Sequence, residues 1–187
     1  MSDAGTWQGT IEGLAARLSE SFAAALRWLE VDGDLWRARE RPDARPPSWS
    51  VGEVLEHLVL THHHLLILAD KIAAKSANRL AEGRRPDPAP SRFDQLEALT
   101  ASSVEWPAPE HMLPTGRATR SEVRAGLERD RARCLALLRA HPSGEGSLHT
   151  IQFSPVGERL DLYQFLAVIE LHLRRHLAQL ERARAAL

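Results

Sequence analysis

Apolar residues recur at spacings of three and four along four long stretches of the chain, with polar residues between them. From Thr10 to Val31, the residues Ile11, Leu14, Leu18, Phe22, Ala25 and Leu29 fall on one side of a helix. Val54, Leu58, Leu65, Leu68 and Ile72 do the same in a second stretch, from Ser50 to about Leu80. Val123, Leu127, Cys134 and Leu138 mark a third, which ends near Ala140. Leu162, Phe165, Ile169, His172, His176 and Gln179 mark a fourth, which ends near Ala185.

Three of these stretches also announce where they start. Ser50 precedes Glu53, Thr119 precedes Glu122 and Asp161 precedes Gln164, each by three residues. In such a capping box the first side chain accepts an early helix N–H, and the second reaches back to the main chain of the first. Trp49 stands just ahead of Ser50, where a hydrophobic staple would pack. At about 1.5 Å per residue, the second helix would span roughly 45 Å.

The connections are rich in proline. RPDARPPSWS carries Pro42, Pro46 and Pro47 and resists regular structure. Residues 82–118 carry six prolines, at 86, 88, 90, 107, 109 and 114, with room for one short helix over Ser91 to Thr100. A connection this long in a compact protein is expected to pack across the helices or to line a site. After the third helix, HPSGEGSLHTIQFSPVGER contains the weakly alternating LHTIQF, which suits a short strand or an extended lid. The pattern therefore predicts an all-α fold: a four-helix bundle with long connections after the second and third helices. No internal repeat is visible, and residues 8–187 read as one domain.

Composition narrows the function. The 187 residues are 43% hydrophobic and 26% charged, which suits a chain with a buried core and excludes wholesale disorder. A net charge of -1 provides no electrostatic footprint for nucleic acid or anionic lipid, so neither is expected as a partner. The single cysteine, Cys134, can form no intrachain disulfide and no thiolate metal cluster. It reads as a small core residue, and a reduced, cytoplasmic setting is the default. MSDAGTWQGT lacks the basic and apolar segments of a signal peptide. No run approaches the roughly eighteen apolar residues of a spanning helix.

Candidate chemistry lies with the histidines. His172 and His176 stand four apart within the apolar seam of the last helix, away from Arg174, Arg175 and Glu181 on its charged face. Side chains one turn apart can converge on one ion, and neutral imidazole suits zinc, nickel or iron. Two buried histidines hydrogen-bonded to carboxylates or main chain would satisfy the same spacing. A metal also needs a third group, and in SVGEVLEHLVLTHHHLLIL His57 shares a stripe with Val54, Thr61 and His64. His64 lies roughly 10 Å beyond His57 at helical rise, too far to share its ion. His63 points to the surface and His62 to the flank of the apolar face.

The segments PSWSVGEVLEHL and LYQFLAVIELHLRRHLAQL, in this order and a bundle length apart, resemble the DinB/YfiT-like superfamily over roughly residues 10–183. The resemblance implies a four-helix bundle whose metal is held by one histidine of the second helix and an HxxxH pair of the last. Carried onto this chain, those ligands are His57, His172 and His176. The tryptophan-serine start of the second helix corresponds to Trp49 and Ser50, and the glutamine beyond the last ligand to Gln179. It further implies a divalent ion, with zinc or nickel favoured and iron or manganese admissible. Three imidazoles leave such an ion positively charged and open to water or substrate. The expected activity is that of a hydrolase or a thiol-dependent S-transferase on a small molecule, with a low-molecular-weight thiol such as bacillithiol or mycothiol as cosubstrate. The alternative is a non-catalytic metal or small-ligand binding protein, and a homodimer is compatible with either.

No general base is assigned. Glu53 precedes His57 by one turn but is accounted for as a cap. Glu56 and Glu170 should point away from the site, onto solvated helix faces. Asp130 faces inward on the third helix, with Arg131 and Arg133 as the expected partners. His141 and His149 flank the connection before the last helix. Tyr163 and the tryptophans, Trp28, Trp36 and Trp106 among them, supply packing or pocket walls.

Overall fold

The computed structural model describes residues 6–45, 48–94, 96–97 and 108–187. The fold is all-α, as predicted, with five helices among the described residues: α1 (Trp7–Arg27), α2 (Gly33–Arg37), α3 (Val51–Ala81), α4 (Arg120–Ala140) and α5 (Leu162–Ala185). Two three-residue strands, β1 (Ile151–Phe153) and β2 (Glu158–Leu160), form an antiparallel hairpin between α4 and α5. LHTIQF thus supplies a strand, with Ile151 opposite Leu160 and the turn closed by Gly157 at φ 71°.

All three capping boxes form. The Ser50 hydroxyl accepts from Glu53 N while the Glu53 carboxylate accepts from Ser50 N, and Thr119–Glu122 and Asp161–Gln164 repeat the exchange. Helix α1 begins three residues earlier than its apolar spacing suggested, because the Thr6 hydroxyl caps it by accepting from Gly9 N at 3.1 Å. The short α2 was not anticipated. Asp32 starts it by accepting from the main-chain N–H groups of Asp34 and Leu35.

Helix α1 packs on α4 and α5, and α3 packs on the same two, so the four long helices close a ring. Every seam residue named for the first and third stretches is buried. Helices α3 and α4 touch with no space for a side chain at Gly126. A methyl group there would sit 2.5 Å from Val59 Cγ1 and 2.9 Å from its Cγ2. Gly144, at φ 92°, has its Cα against the Trp7 indole and could carry no methyl either. Among the described residues, no helix is long and apolar enough to cross a membrane.

The last helix departs from simple amphipathicity. Every residue from Leu162 to Leu173 is buried, because α1, α3, β2 and the turn at Glu145–Leu148 all pack against α5. The segment after α3 adds cover as well. Ser91 donates to the Asp161 carboxylate, Gln164 donates to the Arg92 carbonyl, and Leu96 is fully buried. Of the short helix expected at 91–100, residues 95 and 98–100 lie outside the described residues, as does Trp106.

Candidate metal centre

Helices α3 and α5 lie side by side, and their contact brings the three histidines together. His57, His172 and His176 each present a ring nitrogen, with these atoms within 4.8 Å of one another. All three side chains are buried, at 4–8% exposure. Nε2 of His172 lies 3.1 Å from Nε2 of His176. Two nitrogens held at 2.0–2.1 Å from one ion stand about 3.3 Å apart in a tetrahedron and about 2.9 Å apart in an octahedron. The observed edge falls between them.

Outer hydrogen bonds decide which nitrogen each ring presents. His57 Nδ1 is 2.8 Å from the Met112 carbonyl oxygen, which can only accept. Nδ1 therefore carries the proton, and Nε2 keeps its lone pair. His176 Nδ1 makes the equivalent bond to Gln179 Oε1 at 2.8 Å, again leaving Nε2 free to ligate. The Trp49 ring packs on His57 with centroids 4.6 Å apart and limits its rotation. Thr61 places its hydroxyl 3.4 Å from the same ring.

Burial also strips these rings of protons. It pushes His57 below its usual pKa, with the Met112 carbonyl opposing. It pushes His176 down to about 3, with the charge of His57 adding and Gln179 opposing. His172 is driven down by burial first and then by His176, His62 and His57. At neutral pH the cluster thus offers uncharged nitrogen donors and no internal counter-charge, a set that could hold a divalent cation.

The cluster opens onto a cavity of about 430 Å³ lined by Trp49, Gln179, Arg41, Arg175 and Arg182 as well as the three histidines. Glu40, in the same wall, accepts from Arg182 Nε at 2.7 Å. Partial burial and the charge of Arg182 lower the pKa of Arg175. Among the described residues its wall carries three arginines against one glutamate, a balance that favours an electron-rich or anionic ligand.

Other candidates are drawn elsewhere. Glu53 is engaged by Ser50 and by Arg39 at 2.9 Å; against the upward push of burial, these contacts hold its pKa low. Glu56 and Glu170 do not lie on solvated faces; they are 7% and 2% exposed. Glu56 accepts from Thr115 N, Thr115 Oγ1 and Gly116 N, and so clamps the segment that carries Met112. Glu170 accepts from Ser21 and faces Arg174. Asp130 is buried and pairs with Arg129 rather than with Arg131 or Arg133; Arg133 goes to Asp70. Tyr163 spends its hydroxyl on the His141 carbonyl and Gly146 N. Burial raises the Cys134 thiol far above its usual pKa.

Two contributors were not legible beforehand. The Met112 carbonyl reaches His57 across 55 residues of chain, and a main-chain oxygen leaves no mark in a sequence. Glu56 hides behind helix periodicity, since its partners belong to a loop whose path only the fold determines.

A family model for the DinB superfamily matches residues 31–180, and the chain belongs to that superfamily. No curated protein and no solved structure matched the chain. The family and the histidine cluster together fit a metal-binding protein.

Proposed function

We propose that the protein is a metal-dependent enzyme of small-molecule chemistry, with His57, His172 and His176 as ligands. The reaction class is transfer to a small nucleophile, either a low-molecular-weight thiol or water. The carrying observation is that the three converging nitrogens face a cavity of about 430 Å³, large enough for a small substrate. A structural metal would be expected in a closed shell, with a fourth protein ligand in place of open space. Among the described residues the group contains the three histidines alone.

The residues divide the work. His57, His172 and His176 bind through neutral nitrogens, and Met112 and Gln179 keep two of those rings in the ligating tautomer. An ion held there supplies positive charge that acidifies a thiol or water and polarises a carbonyl. Trp49 forms an apolar wall and excludes water from one side of His57. Arg41, Arg175 and Arg182 orient the negative part of a substrate or thiol. Zinc and nickel best suit three imidazoles; iron and manganese are admitted by the same set.

Metal analysis of untagged protein, followed by stripping and reloading, tests the reading. The purified protein should carry about one divalent ion, and His57→Ala and His172→Ala should each lose it. Transferase assays with several thiols, beside hydrolysis without thiol, then assign the nucleophile. Bound metal unchanged in both variants, or full turnover after stripping, would defeat the proposal.

A further inference from the structure

His62 is fully buried, and its Nε2 lies 3.3 Å from Nδ1 of His172. His62 follows His57 by five residues, about 140° around α3 and roughly 7.5 Å along it. The His172 ring stands between them, with centroid distances of 5.3 Å to His57 and 5.4 Å to His62. Its two nitrogens are thus addressed from different sides: Nε2 by His176, Nδ1 by His62.

We propose that His62 is a positioning residue, whose Nε2 accepts the Nδ1–H of His172 and so turns the His172 Nε2 lone pair toward His57 and His176. The proposal rests on the metal-binding reading above. His62 itself is no ligand; it does for His172 what the Met112 carbonyl and Gln179 do for the other two rings. Such outer partners fix a ligand's tautomer and orientation and raise its basicity.

The position of His62 carries a cost that this role explains. Its Nδ1 is buried and has no hydrogen-bond partner among the described residues. An unpaired buried polar atom destabilises the folded state, because water satisfied it in the unfolded chain. Next to the Phe22 ring, whose centroid is 5.7 Å away, an aliphatic side chain would avoid that cost. The polar capacity of His62 therefore goes to His172. Once His172 gives its Nδ1–H to Nε2 of His62, the His62 proton must sit on Nδ1, facing no acceptor.

Zinc affinity, measured by chelator competition, tests this in the wild type, His62→Leu and His62→Gln, alongside melting of the metal-free proteins. Leucine should weaken zinc binding about 10- to 100-fold, while the metal-free melting temperature holds or rises. Glutamine, whose carbonyl oxygen can accept from His172, should recover most of the loss. Nitrogen-15 NMR of the zinc-loaded wild type should show His62 protonated at Nδ1. A leucine variant that binds zinc as tightly as the wild type overturns the role. If that variant does not fold, a His62 proton found on Nε2 in the zinc-loaded wild type overturns it instead. Wild type that binds none of zinc, nickel, iron or manganese would sink the metal reading itself, and this inference with it.

Discussion

Glu56 ties the stability of the fold to the geometry of the histidines, and its removal makes a sharp test. Its carboxylate accepts from Thr115 N at 3.1 Å, Thr115 Oγ1 at 2.7 Å and Gly116 N at 2.8 Å. Three residues before Thr115, Met112 presents the carbonyl that orients His57. Glu56→Ala leaves three donors without their acceptor. Each buried donor left unpaired costs about 1–3 kcal/mol, but the loop can turn some of them to water. A net loss of about 3 kcal/mol follows, and for a chain of this length that lowers Tm by roughly 6–12 °C. The Met112 carbonyl is released as well, so metal affinity should fall about 10-fold. Glu56→Gln should be intermediate, since one oxygen remains while its NH₂ faces a main-chain N–H. Thermal melts and chelator-competition titrations read both effects. Alanine within about 2 °C of wild type, with unchanged metal affinity, would refute the clamp.

Three further outcomes are expected. Gln179→Leu should weaken metal binding about 10- to 100-fold in a competition titration, while Gln179→Glu keeps an acceptor for His176 Nδ1–H and should retain it. Burial raises the Asp130 pKa above 3.8, against the pull of Arg129. The folded state then holds that proton more tightly than the unfolded one, so this group's contribution falls as pH rises from about 3.8 through the raised folded value. Asp130→Asn should therefore gain on the wild type between pH 4 and pH 7 in urea midpoints, and a constant difference would contradict this. Gly126→Ala gains about 1 kcal/mol of helix propensity but meets both methyl groups of Val59, which cannot rotate both away. It should lose about 1–2 kcal/mol net in equilibrium unfolding, and Val59→Ala in the same chain should turn that loss into a gain.

Helix formation is local, and the long helices were therefore legible along the chain. Ser50–Glu53, Thr119–Glu122 and Asp161–Gln164 each start a helix through atoms three residues apart, and all three do so in the fold. The apolar seams followed from a 3.6-residue period, and they put His57, His172 and His176 on inward faces, where all three are buried. The short α2 was also local, since Asp32 is an ordinary cap, but the neighbouring prolines masked it.

The remaining features depend on atoms far apart in the chain. Helix periodicity puts Glu56 on a solvated face, but the 112–116 segment packs over it. Glu170 read the same way, yet α5 is enclosed on all sides along its first half, which no single-helix period can reveal. His62 looked peripheral to His57 around α3, and the placement of α5 between them made both neighbours of His172. The tautomer of His57 depends on the Met112 carbonyl, 55 residues away along the chain. Periodicity selects the face that turns inward; only packing selects the atoms that meet it.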